Sequence, residues 1–304
     1  MKILYIITAA EYGGAPLHVL QLMEYMLQQG HEVGLVAAPE PRLMERAKAL
    51  GVEVFPNHHF VRPIKPWKDV RALWVVFKSI KSFKPDLVHA HSTKAGCAAR
   101  LACAIFHKPV VFTAHGWAFT EGKKLWERKL LSMIERLAAK VTARVICVSR
   151  YDREQALRWK VAKPEQLVVI YNGIKPGPFL EASGTSLRLK LRLNNPPVLT
   201  FVGRLVPQKD PLTLLKAIKI LPKGTLLMVG DGELRPHVEK YVCKHNLNKR
   251  VLILGQRKDV PRILAASDIF ILSSRWEGLP YTCLLYTSDA ADEGLGVDLG
   301  GRRI

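Results

Sequence analysis

The sequence predicts an α/β protein built as two successive units, each a parallel sheet with helices on both faces. Three observations carry this. Short apolar segments alternate with longer amphipathic ones, the alternation is interrupted once by a Pro/Gly/Asn-rich stretch, and glycines and charged residues collect just after the apolar segments. With 304 residues and 48% hydrophobic content, the chain can bury a core in each unit.

The first unit opens with a strand at 2–8, a helix at 16–29 stopped by Gly30, and a strand at 32–37. A helix at 42–50, a strand near 53–55, a helix at 67–83 and a strand at 87–90 continue the rhythm. Segments 94–106, 110–113, 124–139 and 145–149 add helix, strand, helix and strand. After the run Tyr171-Asn-Gly-Ile-Lys-Pro-Gly-Pro178 the alternation restarts: strand 197–201, helix 211–220, strand 225–229, helix 233–246, strand 251–254, helix 260–265 and strand 269–272. The expected domains are therefore 1–176, a linker at 177–196, and 197–282. Ligands of such sheets sit beyond the carboxyl ends of the strands, and two units joined by a hinge imply a cleft between them.

Residues 283–304 do not belong to this pattern and carry no strand or helix period. Residues 283–293 are what a transposase sequencing adapter encodes when translated in this frame, and 296–304 resemble translation of the flow-cell primer that comes after it. The tail is read as foreign, the second unit as cut short, and both are set aside from the fold. The tail holds Asp289, Asp292, Glu293 and Asp298 against Arg302 and Arg303, so the basic excess belongs to the body.

Five cysteines form no CxxC pair and no regular spacing, which argues against a disulfide framework or a zinc site and fits a reducing compartment. The formal charge of +20 implies an anionic partner: nucleic acid, an acidic membrane surface or a phosphorylated ligand. Neither zinc-finger spacing nor an aromatic-basic strand favours nucleic acid. No apolar run approaches the roughly 18 residues of a membrane span, and the apolar start at Ile3–Ile7 reads as a strand, not a leader.

The loops after strands carry the chemistry. Gly203, Arg204 and Lys209 come after one strand and precede a helix; glycine admits close backbone approach, and the two cations suit a diphosphate or remain solvated surface charges. Gly230 and Gly232 repeat the arrangement after the next strand, as a nucleotide site at a helix start or an ordinary turn. Ser273-Ser-Arg-Trp-Glu-Gly-Leu-Pro280 stands after a third strand, where Glu277 can accept hydrogen bonds from sugar hydroxyls or cap the next helix. In the first unit, Gly13-Gly14 sits between strand and helix, and His115 stands just beyond a strand. His89 and His91 read as strand-end packing or acceptor contacts, not metal ligands, because no carboxylate accompanies them. Over 67–84, Val70, Leu73, Trp74, Phe77 and Ile80 recur at helical spacing with Lys68, Arg71, Lys78, Lys81 and Lys84 between them, a core-packed helix whose basic face suits water or anionic lipid.

With Asn172-Gly173, these three loops resemble the donor-binding half of glycosyltransferase family 4, and the resemblance extends over 1–282. It implies the two-domain, Rossmann-like GT-B fold and transfer of a sugar from a UDP- or GDP-linked donor to a glycan or lipid-linked acceptor, with retention and without a required metal or other cofactor. By that resemblance Arg204 and Lys209 neutralise the departing diphosphate, His115 reaches the sugar, and Glu277 is the first glutamate of an E-x7-E motif. Donor-binding positions are then Gly13, Gly14, Asn172, Gly203, Gly230, Gly232, Gly278 and Leu279. The motif's second glutamate falls at Leu285. The implied setting is cell-surface polysaccharide synthesis, cytoplasmic or peripheral at the inner membrane face. Two rivals stand beside it: a nucleotide-sugar epimerase of the same fold, and an inactive fragment that retains only acceptor or membrane binding.

Overall fold

The computed structural model describes residues 1–8, 13–61, 63–119 and 122–287. The chain divides into two compact units between Asn172 and Gly173.

The first unit holds strands β1 (Lys2–Ile7), β2 (Glu32–Ala37), β3 (Glu53–Pro56), β4 (Leu87–His91), β5 (Val110–Ala114), β6 (Arg144–Cys147) and β7 (Leu167–Val169). All pair in parallel in the order β3-β2-β1-β4-β5-β6-β7. Helices α1 (Gly14–Gln28), α2 (Pro41–Ala49), α3 (Pro66–Phe83), α4 (Thr93–Phe106), α5 (Leu125–Ala139) and α6 (Arg150–Arg158) connect them. Strand periodicity distributes the core: Ile3, Tyr5 and Ile7 pack with Val19, Leu20 and Leu43 of α1 and α2, whereas Leu4 and Ile6 pack with Val76, Ala99 and neighbours of α3 and α4. Strand order reverses direction between β1 and β4, the point where a doubly wound sheet opens a crevice at its carboxyl edge.

The second unit has β8 (Val198–Val202), β9 (Thr225–Val229), β10 (Val251–Gly255) and β11 (Ile269–Phe270), parallel in the order β10-β9-β8-β11. Its helices are α7 (Gly177–Leu180), α8 (Thr185–Lys190), α9 (Pro211–Ile220), α10 (Arg235–Lys244), α11 (Val260–Ala265) and α12 (Tyr281–Thr287). Here the reversal lies between β8 and β11.

Three local expectations change, and one stretch gains elements the sequence left unassigned. The stretch 177–196 is more than a linker: it forms α7 and α8 and sends Leu187 and Leu193 into the second unit's core. Residues 150–169, to which the sequence assigns no element, form α6 and then β7, the last strand at that edge of the sheet. Helix α3 turns differently than its apolar stripe suggests, burying Ala72, Val76, Ile80 and Phe83 while Trp67, Val70 and Trp74 stay exposed. Small and apolar residues on two overlapping stripes compete for the sheet, and the one that reaches Phe83 seats deeper. Finally, α12 continues through Cys283 to Thr287, so the start of the aperiodic tail is helical. Residues 288–304 of that tail lie outside the described residues.

Candidate active site

In the first unit the site forms at the carboxyl ends of β1, β4 and β5. Gly13 precedes the first turn of α1 in extended backbone, and a Cβ there would meet nothing within 4 Å. The opening turn of α1 carries no acidic side chain, leaving its amide end available to an anion. One turn on, His18 faces two histidines supplied by neighbouring strands, His91 from the end of β4 and His115 from just beyond β5. The His18 and His115 rings meet edge to face at 5.0 Å, and His91 stacks on His115 at 5.3 Å. His91 Nδ1 and His115 Nε2 share a hydrogen bond of 3.1 Å, and His89 Nε2 bonds Thr113 Oγ1 at 2.8 Å. Tyr5 lies beneath His89 and His91 with ring centroids 5.3 and 6.0 Å away.

Burial keeps this cluster neutral. It lowers the His18 pKa to about 4 and, helped by His18, that of His89 to about 3. His91 and His115 are driven well below the ordinary imidazole range, first by burial and then by their histidine neighbours. Neutral imidazoles both donate and accept, which suits sugar hydroxyls.

The turn directly after His115 holds that residue in place. Gly116 takes φ +98°, and Trp117 is buried, donating from Nε1 to the Asp152 carbonyl at 2.7 Å and stacking on Phe119 at 5.2 Å. The Asp152 side chain is itself buried, so its pKa rises to about 7 despite the Ser149 hydroxyl bonded to it at 2.8 Å.

In the second unit the loops after β8 and β11 are joined. The Lys209 ammonium pairs with the Glu277 carboxylate, both side chains less than one-fifth exposed. Around that pair Arg275 N donates to the Gln208 carbonyl at 2.8 Å, Gln208 Nε2 to the Trp276 carbonyl at 3.0 Å, and Arg275 Nε to Asp210 Oδ2 at 2.9 Å. Ser273 Oγ reaches the Lys209 carbonyl at 2.8 Å. Burial works against ionisation of Asp210, but hydrogen bonds from Arg275 and Thr213 outweigh it and hold its pKa low. Glu277 is thus bound to Lys209 across the loops, with Gly278 and the buried Leu279 just behind it ahead of α12.

Gly230 and Gly232 have a reason the sequence did not disclose. A Cβ on Gly230 would stand 1.9 Å from the Gly203 carbonyl oxygen, and one on Gly232 would stand 2.5 Å from that of Leu205. Gly203 N also donates to the Val229 carbonyl at 2.9 Å. These glycines let the loops after β8 and β9 pass backbone against backbone, so close approach here serves the protein itself. Arg204 lies partly exposed beside Gly203, and Asn172 is buried at the last position of the first unit.

Two units, each with its polar residues gathered at the switch point of a parallel sheet, are what the comparisons match. The profile of Glycosyltransferase Family 4 aligns with residues 12–177 and that of Glycosyl transferases group 1 with residues 185–284. The chain belongs to glycosyltransferase family 4. Among curated family members, it is 38% identical over 234 residues to the UDP-Gal:alpha-D-GlcNAc-diphosphoundecaprenol alpha-1,3-galactosyltransferase of Escherichia coli, covering 73% of this chain and 60% of that protein. The match thus spans about three-fifths of that relative's length. It is 26% identical over 298 residues to the O-antigen biosynthesis glycosyltransferase WbnH of Escherichia coli, covering 98% of this chain and 81% of that one. Anabaena HepE, solved with UDP and glucose, superposes with a TM-score of 0.79 at 22% identity over 95% of this chain and 78% of its own. WaaG, a glycosyltransferase involved in lipopolysaccharide biosynthesis, gives 0.73 at 16% identity, covering 95% of this chain and 79% of its own. These likenesses establish the GT-B fold.

Family 4 residues anticipated from the sequence fall into two groups: His115, Gly13 and Gly14 at one sheet's carboxyl edge, and Gly203, Arg204, Lys209, Gly230, Gly232, Glu277, Gly278 and Leu279 at the other's. Sequence reasoning misses His18, although its place four residues after Gly14 puts it one turn into α1, at the same edge as His115. It also excludes His91 as a metal ligand, yet His91 joins His18 and His115 in a trio that can offer one ring nitrogen each, the three lying within 4.8 Å of one another. Three imidazoles suit a transition metal, not magnesium. Two of the three already hydrogen-bond each other.

Proposed function

We propose that this chain carries the active-site elements of a transferase that moves a sugar from a UDP-sugar to a lipid-linked glycan acceptor with retention at the anomeric carbon, in cell-surface polysaccharide synthesis. The observation that carries the reading is the Lys209–Glu277 pair fixed beside Arg204 and Gly203 at the switch point of the second sheet. As the donor's glycosidic bond breaks, negative charge grows on the diphosphate. Lys209 and Arg204 stabilise that charge, and a dry, preorganised ammonium does this better than water. Glu277, already bound to Lys209, accepts hydroxyl hydrogen bonds from the sugar and keeps the ammonium aimed. In the first unit, His115 meets the sugar as a neutral imidazole, and the amide end of α1 at Gly13-Gly14 receives phosphate or acceptor oxygens. The cations do the work that a divalent metal does elsewhere, so no metal is required.

The curated relative named for UDP-Gal and a diphosphoundecaprenol acceptor supports UDP over GDP and a lipid diphosphate acceptor. An acceptor of that kind places the enzyme at an anionic membrane face, where Trp67, Val70 and Trp74 stand exposed on α3 among Lys68, Arg71 and Lys78. No helix among the described residues is long and apolar enough to cross a membrane.

The test is a panel of UDP- and GDP-sugars with a diphospholipid-linked N-acetylglucosamine in detergent micelles, with and without EDTA. Transfer from a UDP-sugar that survives EDTA, gives an α-linkage by NMR and falls on Lys209→Ala supports the reading. Donor isomerisation without acceptor turns it into an epimerase. A second reading rests on Leu285, which occupies the place of the motif's second glutamate: the chain as it stands binds acceptor but turns nothing over, and a donor panel with no turnover beside intact acceptor binding selects it.

A further inference from the structure

The histidines at the carboxyl edge of the first sheet come from three separate elements: His18 one turn into α1, His91 at the end of β4 and His115 just after β5. Their spacing is close to that of ligands around one small cation. His91 Nδ1 and His115 Nε2 stand 3.1 Å apart. Two nitrogens bound at about 2.0–2.1 Å to a tetrahedral zinc stand about 3.4 Å apart, so this pair is already near ligand spacing. His18 brings a third nitrogen within 4.8 Å of both, and like His115 it is half-buried, which gives an ion a path from solvent.

The hydrogen bond between His91 and His115 leaves the cluster incomplete. Whichever ring donates, His91 is fully buried and its Nε2 has no hydrogen-bond partner among the described residues. A buried polar atom of this kind marks a place where the side chains do not satisfy one another. Moving the shared proton to the far nitrogen of its own ring frees both facing lone pairs for a cation, and no proton has to leave the site. The rings are held for that purpose. Tyr5 and His89 pack against His91, and Trp117 Nε1 ties the turn after His115 to the Asp152 carbonyl at 2.7 Å.

Ligand chemistry selects the ion. Imidazoles without a carboxylate suit zinc, cobalt, nickel or copper, whereas magnesium and calcium seek oxygen. Three nitrogens leave a fourth position for water or an oxygen anion.

We propose that His18, His91 and His115 form a binding site for zinc or a neighbouring transition metal, and that an ion held there stops sugar transfer by taking the lone pair of His115. The site stands apart from the transferase reading, in which no metal takes part; only the brake rests on that reading.

The test is calorimetric titration of the untagged full chain with zinc chloride, repeated with cobalt chloride while the visible spectrum is read. One ion should bind per chain, and the cobalt form should show tetrahedral absorption without thiolate charge transfer. His18→Gln and His115→Gln should each weaken zinc binding at least tenfold, and Cys243→Ser, at an exposed thiol, should leave it unchanged. Zinc should raise the Tm of the parent and not that of His18→Gln. A parent that binds no zinc, an affinity undiminished in both histidine variants, or a cobalt spectrum dominated by thiolate overturns the site. In the micellar transfer assay, zinc that just saturates the parent should slow it at least tenfold, reversibly with EDTA, and should change the rate of His18→Gln less than twofold. An unchanged rate in the zinc-saturated parent overturns the brake. A parent that binds zinc through these histidines but transfers no sugar in EDTA strikes the transferase reading alone.

Discussion

Lys209 and Glu277, 68 residues apart, form a part-buried ion pair that ties the loop after β8 to the loop after β11. Lys209→Met leaves the Glu277 carboxylate uncompensated in a poorly hydrated position and removes the charge aimed at the diphosphate. Turnover should fall by roughly 10²- to 10³-fold, with a loss of stability as well. Glu277→Gln keeps the shape, so it should lower turnover with a smaller change in Tm. Steady-state kinetics and thermal melts on both variants separate the two effects, and a Lys209→Met enzyme with parental kcat would remove this pair from the chemistry.

Gly230 and Gly13 make a contrasting pair. Gly230→Ala drives a methyl group into the Gly203 carbonyl and asks alanine to hold φ +135°, so a loss of roughly 2 kcal/mol or more is expected in urea unfolding of the second unit. Gly13→Ala adds its methyl to open space in extended backbone and should leave the urea midpoint unchanged. Any effect of that substitution should appear in KM.

The buried Arg100–Glu135 pair stands under α5, with Arg100 also stacked over Phe112 at 4.2 Å. Removing one partner, as in Glu135→Ala, strands a buried guanidinium and should cost about 3–5 kcal/mol. Replacing both with methionine should recover most of that loss. A double-mutant cycle in denaturant decides, and full additivity would speak against the pair.

Acidification should unfold the first unit early. His18, His89, His91 and His115 bind protons more weakly folded than unfolded, so their contribution is complete above the unfolded histidine pKa of about 6.5. It is lost as pH falls from there towards about 4 for His18 and about 3 for His89. Asp152 acts in the opposite sense, because its folded pKa is raised to about 7, and its contribution fades as pH rises through that value. Four histidines outweigh one aspartate, so Tm should drop on going from pH 7 to pH 4. His18→Gln should flatten that slope; a Tm independent of pH across this range would contradict the neutral cluster.

Much of the fold was legible because strands buried on both faces read as unbroken apolar runs, as in Ile3–Ile7 and Thr225–Val229, and because glycine and proline punctuate them. Helices resting on one sheet face were harder. In α3 two stripes overlap and burial chose the less bulky one, and in α5 the inward face is held by an ion pair that no hydrophobic period reveals. The second unit's candidate residues were visible because the loops that carry them come directly after its strands. The histidine cluster was not, since His18, His91 and His115 meet only once β1, β4 and β5 lie side by side. The glycines of 230–232 were visible as glycines, but their partner, the backbone of Gly203 and Leu205, is a long-range contact.

The hydrogen bonds between 208–210 and 273–276 bear on how such enzymes can be recombined. Here an imported segment at 273–280 would leave Gln208 and Asp210 facing strangers, and the Lys209 ammonium without its counter-charge. The two stretches form one heritable module, and a chimera that exchanges 203–210 together with 273–280 should fold where either half-exchange fails.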